Sequence, residues 1–205
     1  NMRNGLFEEL VTVPVTASTL TVTDEDVDVN SYSYRYRAIV IDSCGTFGIT
    51  SNEANTILLQ VSTDQTTLVN YLNWTAYSEF DGGVFQYSVF RGIDGNFSPS
   101  PLVSYNNDHR FHTDDVSDFE EYTGRICYRI VAREGFNNQY GFSEYSNSND
   151  VCAVVEPLVY IPNAFTPDGA NPVFKPIISF TDINQYELTI LDRWGQRVFS
   201  TKDVN

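Results

Sequence analysis

Two histidines in the stretch DHRFHTDD, His109 and His112, lie beside Asp108, Asp114 and Asp115 and are the first candidates for chemistry in this chain. Imidazoles near carboxylates suit a metal site or a general base. The spacing argues against both, because the segment reads as a strand, on which positions i and i+3 face opposite sides. Both histidines are therefore expected as exposed edge residues. A second candidate is TDEDVDVN, Thr23 to Asn30, which gathers Asp24, Glu25, Asp26 and Asp28 into one short stretch. Such oxygens can hold calcium. The stretch has no glycine to turn the loop tightly, so a solvated inter-strand turn is the expectation. A structural calcium ion is the single cofactor the sequence suggests.

Catalysis finds little to work with. A sugar hydrolase needs two carboxylates set across a cleft, whereas EFDGG and GIDGN read as turns. Ser, Cys and His fall in no spacing of nucleophile and base, and no paired ligand spacing suggests zinc. Trp74 and Trp194 are candidates to stack a sugar, with Trp74 expected in a core. The chain is read as a non-enzyme.

The elements that must position these residues are strands. Fourteen Phe, thirteen Tyr and one Met favour β-structure. Twenty-seven acidic residues against twelve basic ones leave a net charge of −15, which disfavours nucleic acid and anionic membranes as partners. No apolar run is long enough to cross a bilayer as a helix, and NMRNGLFEEL lacks the apolar core of a signal peptide.

The sequence repeats at an offset of about 90 to 95 residues. NGLFEELVTV (Asn4 to Val13) is similar to DGNFSPSPLVSY (Asp94 to Tyr105), and VTDEDV (Val22 to Val27) to HTDDV (His112 to Val116). YRYRAIVIDSCG (Tyr34 to Gly45) matches ICYRIVAREG (Ile126 to Gly135), and SNEANTILL (Ser51 to Leu59) matches SNSNDVCAV (Ser146 to Val154). Tyr34, Tyr36, Ala38 and Val40 alternate with Arg35, Arg37, Ile39 and Ile41, the period of a strand. LNWTAY and FQYSVFRG are further strands, split by the turn signal SEFDGG. Short strands at this spacing predict an all-β sandwich.

These residues resemble fibronectin type III modules, which are immunoglobulin-like sandwiches. Trp74 stands where such modules carry a core Trp, and Tyr34 stands near their tyrosine corner, a position that Ile126 takes in the second unit. Residues 1–60 are then the C-terminal half of one module, and 61–156 a complete one. Cys127 falls on the penultimate strand and Cys152 on the last. Those strands are neighbours, so a disulfide between them is expected, while Cys44 in DSCG has no partner in view.

Residues 157–205 carry a different pattern. YIPNAFTPDGANPVFKP (Tyr160 to Pro176) and YELTILDRWGQRVFST (Tyr186 to Thr201) resemble the type B C-terminal domain of the type IX secretion system, the gliding-motility-associated domain. The motif residues are Pro162, Asn163, Ala164, Phe165, Thr166, Pro167, Asp168 and Gly169, with Arg193, Trp194, Gly195, Gln196, Val198 and Phe199. The stretch PDGANPVF departs from the acidic loop common in the family. Without the family name, DRWG predicts the turn of a hairpin. The four prolines between 162 and 176 predict extended or turned chain before it.

The fold expected is thus all-β: tandem fibronectin-like sandwiches followed by a partial sorting-domain sandwich. The resemblance implies a Bacteroidota-type source and export across the outer membrane to the surface or medium. The implied partners are the type IX translocon and its outer-membrane carrier proteins, and Trp194 is expected to pack within the sorting domain. Two roles follow: part of an adhesin- or stalk-like surface protein, or the spacer and export address of a secreted hydrolase with an upstream catalytic domain. A surface carbohydrate is a further candidate partner. The register of the repeat and the half-written last domain also predict that the chain is part of a longer polypeptide, caught as cargo in a larger assembly.

Overall fold

Strands make up every regular element except one 3-10 turn at Ser117–Phe119, among the residues that this computed structural model describes: 2–3, 6–16, 19–119, 124–141, 143–166, 168–169, 173–180 and 186–203. The first unit contributes β1 (Met2–Arg3), β2 (Leu6–Phe7), β3 (Arg35–Tyr36), β4 (Ile39–Ile41), β5 (Phe47–Thr50) and β6 (Ala54–Asn55). They pair two by two: β1 with β2, β3 with β6, β4 with β5. The run from Tyr34 to Ile41 is not one strand. It breaks at Ala38, whose N–H donates to the Ser51 hydroxyl at 2.9 Å while Ser51 N–H returns to the Ala38 carbonyl at 2.9 Å. A side-chain oxygen there takes the place of a ladder carbonyl, and Ile39, Val40 and Ile41 all end up exposed.

The second unit is a sandwich of β7 (Leu59–Asp64), β8 (Val69–Trp74), β9 (Val84–Ile93), β10 (Asn96–Phe97), β11 (Val103–Asn106), β12 (Phe111–Asp115), β13 (Arg125–Glu134), β14 (Tyr145–Asn147) and β15 (Val151–Val154). One sheet has the order β12-β8-β7. The other runs β10-β9-β13-β14, with β11 also on β9 and β15 also on β13. Alternation decides the inner faces. Ile126, Tyr128, Ile130 and Ala132 of β13 are fully buried, as are Leu72 of β8, Leu59 of β7 and Tyr87 and Val89 of β9. Each large apolar side chain so buried contributes about 2 kcal/mol. At the β9–β10 turn Asp94 and Gly95 both take positive φ, 51° and 86°, as a two-residue I′ hairpin requires.

The internal repeat is visible in equivalent hydrogen bonds. Tyr36 donates its hydroxyl to Asp24 at 3.1 Å, and Tyr128 donates to Asp114 at 2.7 Å. The Ala38–Ser51 exchange recurs as Ile130 with Ser148, again at 2.9 Å in both directions. This corrects the alignment of the last repeat segment. SNSN offers the Ser-Asn pair twice, and the hydrogen bonds equate Ser51 with Ser148 rather than Ser146. Tyr34 is buried and its hydroxyl accepts the Asp28 N–H at 2.9 Å, the backbone bond of a tyrosine corner. Ile126 fills the equivalent place with a buried apolar side chain.

The core of the second unit draws on residues on both sides of 61–156. At its start Ile57 and Leu59 are already in the core, two and four residues after the end of β6. The segment after it forms β16 (Leu158–Tyr160) with β17 (Ile177–Ser179), and β18 (Leu188–Leu191) with β19 (Arg197–Thr201), both antiparallel. Directly after β17, Phe180 enters the sandwich core and is 1% exposed. It packs against Gly124, where a Cβ would stand 2.6 Å from the Val155 carbonyl oxygen and 3.2 Å from Phe180 Cβ. The sandwich and the segment that follows it share one core.

Candidate functional site

The two halves of the C-terminal motif form separate local structures. In the first, Gly169 N–H bonds the Thr166 carbonyl at 2.9 Å, closing a tight turn. Pro162 is half-buried, while Asn163, Ala164, Thr166, Asp168 and Gly169 are exposed. Phe165 is exposed as well and meets Phe174 at 5.9 Å between ring centres. Pro167 lies outside the described residues.

The second half is the β18–β19 hairpin. Asp192 builds its turn, with one carboxylate oxygen accepting the N–H groups of Trp194 at 2.8 Å and Gln196 at 2.9 Å. Its backbone N–H and carbonyl bond Gln196 and Gly195 at 2.8 and 3.0 Å, and Gly195 takes a φ of 82°. Arg193 Cζ stands 4.0 Å above the Trp194 ring. Trp194 is 71% exposed at the tip, and Val198 and Phe199 are exposed along β19. The expectation that Trp194 packs inside a domain is therefore corrected, since a side chain at a hairpin tip projects beyond the layer of the strands.

The same turn occurs in the first unit, which reading the motifs alone missed. Asp42 accepts from Cys44 and Thr46 N–H at 2.9 and 2.8 Å, and Gly45 has φ of 78°. The shared signal is Asp-x-x-Gly, and exposed, unbridged Cys44 holds the place of Trp194. Cys127 and Cys152 are joined by a disulfide and face each other directly across β13 and β15. Arg35 and Asn55 hold that register position between β3 and β6.

A polar network crosses the sandwich core. Asn70 donates to the Tyr128 hydroxyl at 2.8 Å and accepts from Thr63 at 2.7 Å. Tyr128 donates in turn to Asp114, which also takes Arg91 at 2.7 and 2.9 Å. Arg91 lies over the Phe119 ring at 4.4 Å. Burial, and next the Asp114 charge, push the Tyr128 phenol far above the ordinary tyrosine range. At Tyr36, burial first and the Asp24 hydrogen bond second push it up to about 12. Every strong acceptor of this network is occupied by a structural donor, so it rigidifies the core.

The two histidines are half-buried rather than exposed, although His112 does lie on β12, the edge strand of its sheet. His109 lies in the turn before β12, stacked on Tyr105 at 3.8 Å and on Phe111 at 4.4 Å. His112 Nδ1 shares a hydrogen bond of 2.7 Å with the Tyr105 hydroxyl. Both are half-buried, and their Nε2 atoms and the Trp74 Nε1 lie buried with no partner among the described residues. Trp74 itself is a core residue, packed on Tyr87, Tyr105 and His109. Burial pushes the His112 pKa down; Asp114 pulls the other way. The acidic stretch is a turn in which Asp28 accepts from Asn30 N–H at 3.1 Å. Among the described residues no three His, Cys, Asp or Glu side chains converge as a metal site. A shallow depression beside Arg91, Ile93 and Phe97 holds no set of nucleophile, acid and base.

One group of residues escaped the sequence analysis altogether: the exposed rings of Phe85, Phe136 and Tyr145 around Arg133, at one end of the second sandwich. No protein-family model matches this chain, and no curated protein matches it.

Proposed function

We propose that this chain is a non-catalytic part of a large secreted or cell-surface protein, stalk- or adhesin-like, exported by the type IX system with residues 157–205 as its type B address. The observation that carries the reading is the pairing of IPNAFTPDG with DRWGQRVF, the second displayed on an exposed hairpin. Reading by the translocon and an outer-membrane carrier needs such a segment on the surface, and Arg193, Trp194, Val198 and Phe199 are there. The Cys127–Cys152 bridge suits an exported protein. The two carboxylates buried among the described residues, Asp114 and Glu134, are consumed by structural hydrogen bonds rather than held for chemistry.

The test places the parent protein, wild type or with Arg193, Trp194 and Gly195 all changed to Ala, in a bacterium with an active type IX system and in a strain lacking it. Export should require both the system and the motif. Equal appearance outside the cell with the motif removed would sink the reading.

A further inference from the structure

We propose that the end of the second sandwich formed by β9, β13, β14 and their loops is a binding platform for a neutral carbohydrate chain. The inference is independent of how the protein is exported. It starts from a defect in the ladder. Arg133 pairs with Gln86, yet Glu134 pairs with Val84, so β9 carries one extra residue, Phe85. A bulge re-aims a side chain that alternation would have sent to the other face. Phe85 is 46% exposed and meets Phe136 edge-on at 5.4 Å. Tyr145 sits directly across from Arg133 on β14. The Arg133 guanidinium carbon is 5.8, 5.5 and 5.9 Å from the ring centres of Phe85, Phe136 and Tyr145. Phe136 and Tyr145 are 72% and 60% exposed.

The described residues beneath these rings are tied together by hydrogen bonds. Glu134, 2% exposed, accepts from Gly82 N–H at 3.1 Å, Asn138 at 2.6 Å and Glu144 N–H at 3.2 Å. Gly135 N–H bonds the Gly83 carbonyl at 2.8 Å. A Cβ on either Gly82 or Gly135 would collide with the carbonyl oxygen of the other. The rings are thus held in place before any ligand arrives, which lowers the ordering cost of binding.

The chemistry of the patch selects its occupant. Exposed ring faces are electron-rich and attract C–H groups with partial positive charge, such as the flat face of a sugar ring. Arg133 makes no hydrogen bond or ion pair among the described residues; its Nε is buried, so the two terminal guanidinium nitrogens are the donors left for hydroxyl oxygens. A net charge of −15 works against a polyanionic glycan. A few ring side chains are also far short of the roughly 20–30 residues per side of a stable protein interface. A neutral oligosaccharide meets all three conditions.

The test uses the whole chain with cellotetraose, xylotetraose and maltotetraose as neutral probes and tetragalacturonate as the acidic one, by calorimetry and tyrosine fluorescence. At least one neutral tetramer should bind, and tetragalacturonate should bind more weakly. Phe136→Ala and Tyr145→Ala, on exposed positions that leave the core alone, should each weaken binding about tenfold or more, and Arg133→Gln likewise. Thermal melting confirms that each variant is folded. The proposal is overturned if no neutral tetramer binds, if the acidic tetramer binds tighter, or if the folded variants bind as wild type does.

Discussion

The Tyr128 hydroxyl donates to Asp114 across 2.7 Å inside the second sandwich, and the Tyr36 hydroxyl repeats the bond to Asp24 at 3.1 Å in the first. The two bonds differ in burial. Tyr128 and Asp114 are nearly closed to solvent, and Asp114 also holds Arg91, whereas Tyr36 is half-buried and Asp24 lies in an open loop.

Tyr128→Phe should therefore destabilise the sandwich by roughly 1.5–3 kcal/mol, the range for a hydrogen bond to a charged group. Asp114→Ala should cost about 3 kcal/mol, because it also strips Arg91 of its counter-charge. Tyr36→Phe should change stability by no more than about 1 kcal/mol. Urea unfolding of the three variants checks the order. Equal losses for Tyr36 and Tyr128 would contradict it.

Acid should act first through His112. Burial lowers its folded pKa beneath the ordinary histidine value, so the unfolded chain binds the extra proton. Stability is then full above that ordinary value and falls as pH drops through it toward the folded pKa. The melting temperature should decline between about pH 7 and pH 5, and His112→Gln should flatten that slope. Glu134 adds a separate loss at lower pH. Burial raises its pKa, but the Gly82, Asn138 and Glu144 donors outweigh this and leave it below the ordinary glutamate value.

The disulfide closes a separation of 25 residues, worth about 3 kcal/mol in the chain-entropy account. Cys127→Ala with Cys152→Ala should lower the urea midpoint accordingly, and a reducing agent should bring wild type down to the same value. Cys44→Ser should leave it unchanged, since that thiol is exposed and unbridged.

Phe180 links the terminal segment to the sandwich. Phe180→Ala leaves a cavity in a core otherwise filled from residues 57–155, at a cost of about 3–5 kcal/mol. With Trp194→Phe as background, Trp74 is the single tryptophan and its fluorescence reports sandwich unfolding directly. No shift of that transition would mean that Phe180 does not belong to the core.

Much of this was legible in the sequence where the cause is local. Alternation along Ile126 to Ala132 depends on backbone geometry alone, whereas the pairing of Cys127 with Cys152 was implied by the resemblance to a fibronectin-like sandwich. Asp192 and Gly195 specify their turn within a few residues. The i, i+3 rule fails for the histidines because it assumes both on one strand. His109 sits in the turn before β12, and Tyr105, from β11 of the other sheet, contacts both rings. Composition cannot tell the two Ser-Asn dipeptides of SNSN apart; the Ile130 ladder can.

Residue types and their spacing by themselves determined that this chain is all-β, that it repeats and where the Asp-x-x-Gly hairpin turns. Those properties follow from the period of a strand and from bonds spanning a few residues. Only the tertiary structure decided that Phe180 completes the preceding core, that a bulge turns Phe85 outward beside Arg133, and that Tyr105 joins the two histidines. Each depends on which distant surfaces meet, and that is set by close packing across the two sheets rather than by any local preference.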